Sequence, residues 1–288
     1  MKKLTILLIC LLLCGCKTEV VKTVDLDSIN NFNYDDIQEL DFDIHSQEYL
    51  LVRTSDLKVM YAHDEDKRMY PASLTKLMTL DTVLNNVANL NETSYVTYQQ
   101  VQDLIADDAS LAYIDTDFDY SIKDLLYTLL LPSGADAAVA LDNYFVSKNM
   151  NLVEQMNIQA EKLGCSNSHF MNTTGLHDDN HYTTLNDLLK IVMDILTFED
   201  GRMILETLSY TAEDGIHVYS TLKRMHHDKA TILGGKTGFT TESGQSVIVL
   251  FKANNRSYIL LIANAMGDPY IDQHWHFDDA VEIMDHLY

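Results

Sequence analysis

Apolar runs with a two-residue period fall at the two ends of this chain, and that placement limits the folds open to it. "EYLLVRT" and "KVMYAHD" flank the turn "SDL" near the start, while "SVIVLFK" and "SYILLIANA" flank "ANNR" near the end. Alternation at that period marks strands, whose side chains point to opposite faces in turn. A helix follows the first pair at "SLTKLMTLDTVLNNV", with Leu74, Leu77, Met78 and Val83 at helical spacing. From about residue 84 to 215 helical patterns dominate, in "IKDLLYTLLL", "DAAVALDNYFV", "LVEQMNIQAEKLG" and "TLNDLLKIVMDIL". A last amphipathic helix spans roughly Phe277 to Leu287. The expected fold class is α/β of the α+β kind: one antiparallel sheet formed by N- and C-terminal strands, flanked by helices, with an inserted all-helical lobe. A groove between sheet and lobe is the expected place for a site.

The N-terminus sets the expected compartment. Lys2 and Lys3 precede an apolar run from Leu4 to Leu13, too short for a spanning helix and right for a signal-peptide core. The run ends in Leu13-Cys14-Gly15-Cys16, which resembles a bacterial lipoprotein signal with Cys16 as the lipidated residue. Residues 1–16 are read as that signal, 17–46 as an acidic tether, and 47–288 as the folded domain. An ordinary secretory signal or an uncleaved anchor is the plainer reading. A two-chain lipid would hold the protein on the outer face of the bacterial cytoplasmic membrane, extracytoplasmic, without a spanning helix. Cys165 is then the one remaining thiol, read as a small buried residue.

A formal charge of −23 argues against nucleic acid as a partner, since phosphate contacts need clustered Lys and Arg. No cofactor is expected. His226, His227, His274 and His276 invite a metal reading, but no third ligand stands at sensible spacing, so none is expected.

Three short segments can carry chemistry. Ser73-Leu74-Thr75-Lys76 opens the first helix, where a three-residue spacing brings hydroxyl and amine to one face beside free N–H groups. Alone it also fits a helix cap with a surface lysine. S-x-x-K recurs at Ser55 to Lys58 and Ser220 to Lys223, neither of which begins a convincing helix. Ser133, in "LLLPSGADAAVALD", forms S-x-x-D with Asp136, a capping box, or it moves protons. Lys236-Thr237-Gly238 in "GGKTGFT" places a cation and a hydroxyl on an edge strand, suited to a carboxylate and to strand-like pairing with a peptide. A Gly-rich turn with an edge-blunting lysine is the bland alternative.

In this order, S-x-x-K, a serine loop and K-T-G form the motif set of penicillin-binding proteins and serine β-lactamases. "YPASLTKLMT", "LLLPSGADAA", "FMNTTGLHDDNHYTT" and "GGKTGFTTESG" narrow it: the chain from about Glu48 onward resembles the serine-type D-alanyl-D-alanine carboxypeptidases, the low-molecular-weight penicillin-binding proteins. The resemblance implies a β-lactamase/transpeptidase-like fold, Ser73 as nucleophile, Lys76 as base and Ser133 as proton relay. It implies Lys236 and Thr237 for the substrate carboxylate, Gly238 within the same motif, and the N–H groups of Ser73 and Phe239 as oxyanion hole. The implied partners are peptidoglycan stem peptides ending in D-Ala-D-Ala, β-lactams as covalent inhibitors, and the membrane through N-terminal lipid.

The middle motif departs from its usual S-x-N, reading Ser133-Gly134-Ala135. A literal S-x-N at Ser147-Lys148-Asn149 lacks the Leu-Pro lead-in and is set aside. Arg256 is a candidate helper for the carboxylate or a solvated turn residue; Asn172, Gly175 and His181 are expected to be structural. Two other functions stay open: a β-lactamase, against which Tyr182 stands where E-x-x-L-N would place its glutamate, and a catalytically weak surface lipoprotein that binds wall peptides or β-lactams.

Overall fold

The computed structural model describes residues 31–288. The signal segment, Cys16 and the first part of the tether lie outside the described residues. In chain order the elements are β1 (Glu48–Arg53), β2 (Lys58–His63), α1 (Thr75–Asn86), β3 (Thr93–Ser94), α2 (Tyr98–Ala106), β4 (Tyr120–Ser121), α3 (Ile122–Leu130), α4 (Ala135–Ser147) and α5 (Leu152–Lys162). There follow α6 (Leu185–Ile195), α7 (Glu199–Leu205), β5 (Ser209–Thr211), β6 (His217–Tyr219), β7 (Thr231–Thr240), β8 (Gly244–Ala253), β9 (Arg256–Ala265) and α8 (Trp275–Asp285).

The main sheet runs β2-β1-β9-β8-β7, with every neighbour antiparallel. β1 pairs with β9, from Glu48 opposite Ala263 to Arg53 opposite Tyr258, so strands from both ends of the chain close one sheet. The two-residue period divides its side chains cleanly. Leu50, Val52, Ile248, Leu250, Ile259 and Leu261 enter the core shared with the helical lobe. Leu51, Val249, Phe251, Leu260 and Ile262 enter a second core under Ala280, Ile283 and Met284 of α8. Both faces are covered, which is why these strands read as nearly continuous apolar text.

α1 is the spine between sheet and lobe. Every residue from Thr75 to Val83 is buried, polar ones included. The helix is enclosed rather than laid on a surface, so its sequence is only weakly amphipathic. The lobe also holds two short antiparallel pairs, β3–β4 and β5–β6, too brief for any period to announce.

Residues 31–46, the described part of the acidic stretch, are docked rather than free. Asn33 and Gln38 pair with the outer edge of β2, and Leu40, Phe42 and Ile44 pack into the α8-side core. The segment covers an edge strand that would otherwise offer unpaired N–H and C=O groups. Its alternating apolar positions are diluted by acidic neighbours, which hides them in a composition-based reading.

Candidate active site

Ser73 stands in a 3-10 turn, Ala72–Leu74, set between Pro71 and the first turn of α1. Ala72 has φ +47°, a left-handed backbone rare for a residue with a side chain. The Ser73 hydroxyl makes no capping bond; the helix that begins behind it has Leu74 at its cap position. One turn on, Lys76 donates from Nζ to Ser73 Oγ at 3.2 Å and to the Thr174 carbonyl at 2.5 Å.

The loop that supplies the Thr174 carbonyl is fixed from below. Asn172 Oδ1 accepts from the N–H groups of Thr174 at 3.2 Å and Gly175 at 2.7 Å. Gly175 has φ +86°, and a Cβ there would lie 2.0 Å from the Ala72 carbonyl oxygen. Only glycine lets this loop back the Ser73 turn. His181 Nε2 lies 2.8 Å from Thr75 Oγ1, tying the first turn of α1 to the same wall. Asn172, Gly175 and His181 thus shape the floor.

The capping reading of Ser133 does not hold. α4 starts after Gly134 with no side-chain cap, and the Asp136 carboxylate accepts from the N–H groups of Ala112 at 2.9 Å and Ile114 at 3.1 Å. Ser133 has φ +68°, a left-handed backbone rare for a residue with a side chain. Its Oγ accepts instead from Lys236 Nζ at 2.9 Å. Ala135, where an asparagine is usual, is buried and puts a methyl group toward the cavity on the Lys76 side.

β7 is the free edge of the sheet on this side, and it carries Lys236, Thr237, Gly238 and Phe239 past the Ser73 turn. A Cβ on Gly238 would come 3.0 Å from the Pro71 carbonyl, so the strand and the turn are in close approach. Thr237 Oγ1 donates to Thr221 Oγ1 at 2.8 Å. Ser73, Ser133, Thr237, Gly238 and Phe239 line one cleft of about 760 Å³, while Ser73, Lys76, Ala135 and Phe239 line an adjoining one of about 550 Å³. The two meet at Ser73.

Electrostatics follow from burial. Desolvation brings Lys76 from the ordinary lysine range down to about 7, opposed by the Asp136 carboxylate. Lys236 is held well below its ordinary value, first by burial and then by repulsion from the Lys76 ammonium. A buried amine near neutrality, in hydrogen-bond reach of a hydroxyl, can take its proton; a second amine can hold an anion or pass a proton through Ser133.

Other candidates fall elsewhere. Arg256 is exposed at the start of β9 and does not line the cleft. Lys223 and Arg224 do, from the 3-10 turn Thr221–Arg224 after β6, with Thr221 beside them. The sequence signals this only through the Ser220 to Lys223 spacing, which otherwise reads as chance. Ser147, the last residue of α4, donates to the Tyr144 carbonyl at 2.7 Å and lines neither cavity at Ser73. Tyr182 faces Arg68, 4.3 Å from guanidinium to ring, and lines neither cavity at Ser73. His276 is tied to Gln245 at 2.6 Å, and among the described residues no three ligating side chains gather. Cys165 is buried, and burial pushes its thiol up out of the reactive range.

Residues 35–267 match the family model of the D-alanyl-D-alanine carboxypeptidases, peptidase family S11. The chain is 28% identical over 235 residues, 78% of its length and 58% of the relative's, to D-alanyl-D-alanine carboxypeptidase DacA of Haemophilus influenzae. The chain spans between 55% and 58% of the length of this and two further curated relatives. Among solved structures, the Streptomyces K15 DD-transpeptidase superposes with TM-score 0.73 at 22% identity, covering 85% of this chain and 98% of that one. Penicillin-binding protein D2 of Listeria monocytogenes, in an ampicillin-bound form, gives TM-score 0.70 at 25% identity with the same coverage.

Proposed function

Because the chain belongs to the D-alanyl-D-alanine carboxypeptidase family, we propose that it removes the terminal D-alanine from peptidoglycan stem peptides through an acyl-enzyme on Ser73. The observation that carries this reading is that Ser73 and Ser133 line one cleft and each is bonded to a buried lysine: Ser73 with Lys76 at 3.2 Å and Ser133 with Lys236 at 2.9 Å.

The chemistry runs from these atoms. Lys76, lowered to about 7 by burial and so in good part neutral at pH 7, takes the Ser73 proton as Oγ attacks the penultimate D-alanine carbonyl. The N–H groups of Ser73 and Phe239 receive the developing oxyanion. Thr237, with Lys236 behind it, holds the terminal carboxylate. Ser133, bonded to Lys236, hands a proton to the departing amine and takes the one that Lys76 removed from Ser73, so that Lys76 is neutral again when the C–N bond has broken. Water then resolves the ester, and Ser73 regains its proton. A β-lactam enters the same sequence and stays bound on Ser73: the E-x-x-L-N glutamate that would activate water for its release has no counterpart, its sequence position being taken by Tyr182, which lies outside both cavities.

Lipidation of Cys16 completes the proposal. The charged start, the short apolar core and the Leu-Cys-Gly-Cys ending support a lipoprotein on the outer face of the cytoplasmic membrane, where stem peptides lie. Among the described residues no helix is long and apolar enough to cross a membrane. D-alanine release from a pentapeptide, measured beside the turnover of labelled penicillin, tests the function. Release of D-alanine with a long-lived penicillin adduct is expected. Rapid penicillin turnover would make the protein a β-lactamase, and an adduct without D-alanine release a binding protein.

A further inference from the structure

Lys76 donates to two acceptors, and neither belongs to the middle motif. One is Ser73 Oγ, the atom it must deprotonate; the other is the Thr174 carbonyl. Ala135 lines the same cavity as Lys76 and Thr174 but brings only a methyl group to it. A lysine head sits on a long stem of rotatable bonds, so a base of this kind needs an anchor. Once neutral, the amine has two N–H groups and one lone pair. An N–H held by the Thr174 carbonyl fixes the rotation of the head and leaves the lone pair for the Ser73 proton.

The Thr174 carbonyl is in turn held from the helical lobe. Thr173, next to it in the loop, is buried and donates from Oγ1 to Asp142 Oδ2 at 2.7 Å. The Thr173 carbonyl accepts from Thr79 Oγ1, about one turn past Lys76 on α1, at 2.9 Å. The residue before Thr174 is therefore fixed between α4 and α1. Asp142 stands two helical turns after Ala135, so the two share one face of α4. That face is otherwise small and apolar, with Ala135 and Ala138 both buried. A carboxylate is a costly choice there. Burial pushes its carboxyl up to about 6 against the pull of the Thr173 bond, and among the described residues no cation pairs with it. An alanine would fill the same face without that penalty. What the carboxylate adds is the bond to Thr173.

We propose that Asp142 is a positioning residue for the base: through Thr173 it holds the Thr174 carbonyl on Lys76, in place of the bond that an asparagine side chain in the middle motif would supply. This rests on the acyl-enzyme reading given above, in which Lys76 takes the Ser73 proton. Asp142 lines neither cavity at Ser73 and acts through the loop alone. No bond or proton changes at Asp142 during the reaction, since a protonated carboxyl keeps an accepting oxygen. The departure at Ala135 and the Asp142–Thr173 bond are then two halves of one arrangement.

The test measures acylation of the full chain by labelled penicillin across a pH profile, beside the melting curve of each variant. Asp142→Ala and Thr173→Val are expected to lower the plateau rate constant about five- to tenfold, the scale of one lost hydrogen bond. Both are expected to move the ionisation limb to lower pH than in wild type, because a charged amine that loses an acceptor gives up its proton more readily. Asp142→Asn, which keeps an accepting oxygen, stays within about twofold of wild type. In an Ala135→Asn background the loss from Asp142→Ala shrinks to about twofold, since the new amide takes over the bond to Lys76. Thr173→Val carries the test if Asp142→Ala does not fold. A folded Asp142→Ala that is acylated as fast as wild type overturns the proposal. So does a slower variant whose limb stays in place and whose loss is the same in both backgrounds, the mark of a merely structural bond. Absence of a penicillin adduct on wild type overturns the acyl-enzyme reading and this inference with it.

Discussion

Ser133 sits at φ +68° with its Oγ 2.9 Å from Lys236 Nζ, so the backbone of one motif is bent into an unfavourable region where it meets the buried amine of another. A residue with a Cβ stays there only when its surroundings hold it, and that holding is visible: the Gly134 N–H donates to the Thr128 carbonyl, and the Ala135 N–H donates to the Ser110 carbonyl.

The first prediction separates strain from chemistry. Ser133→Gly and Ser133→Ala both remove the hydroxyl and should slow penicillin acylation by about 10²–10⁴-fold, the usual scale for a lost proton-transfer group. Ser133→Gly should be more stable than Ser133→Ala by about 1–2 kcal/mol, because only glycine meets the left-handed conformation without a penalty. Chemical denaturation measures the second effect; equal stabilities would mean that the backbone here is unstrained.

Acylation should follow the ionisation of Lys76. Its value of about 7 arises from burial, and the neutral amine is the working form. The rate constant with penicillin should therefore rise about tenfold per pH unit below that value and level off above it. A stopped-flow profile from pH 5 to 9 decides this. A limb displaced to the ordinary lysine range would mean that Lys76 is solvated in the working enzyme.

Ala135→Asn should preserve or raise acylation. The new amide would enter the cavity that Lys76 lines and offer a hydrogen bond worth about 1–3 kcal/mol in a dry site. A drop of more than tenfold would show that this loop plays another part.

Gly175→Ala should fail locally first. The added methyl would meet the Ala72 carbonyl at 2.0 Å, and the backbone is at φ +86°. A loss of about 2 kcal/mol or more is expected, with acylation falling further than stability alone explains. Thermal melts beside acylation rates check it; an unchanged protein would mean that the floor loop moves freely.

Asp81 and Asp194 share a buried corner with Gln159, whose Nε2 donates to both at 3.1 Å. Burial and the neighbouring carboxylate raise Asp81 well above the ordinary aspartate range. Between about pH 4 and that raised value the folded state binds more protons than the unfolded one, so the contribution of Asp81 to stability falls across that window and is lost once pH has passed the raised value. Asp81→Asn should remove that fall and raise Tm at pH 8, where one of two acids no longer has to keep its proton. A lower Tm at pH 8 would show that Asp81 is not held protonated in the fold.

Much of this was legible in the sequence for physical reasons. The strands announced themselves because both sheet faces are buried, as Leu50 and Leu51 show by entering opposite cores. The helix after Ser73 was legible through Leu74, Leu77 and Met78, although its burial all round was not. Ser133 was ambiguous because S-x-x-D satisfies a local rule, while the bond it makes is to Lys236, across the fold. Residues 31–46 were misjudged because acidic composition masked Leu40, Phe42 and Ile44. Thr221 and Arg224 were missed because a four-residue 3-10 turn has no period, and only folding brings it beside Thr237.

The central claim is that Ser73 is acylated. Intact-protein mass spectrometry after exposure to labelled penicillin tests it most directly, with wild type and Ser73→Ala side by side. A single adduct on wild type, mapped to the peptide holding Ser73 and absent from the variant, is the predicted result. An adduct of equal size on both proteins, or none on a folded wild type, would contradict it.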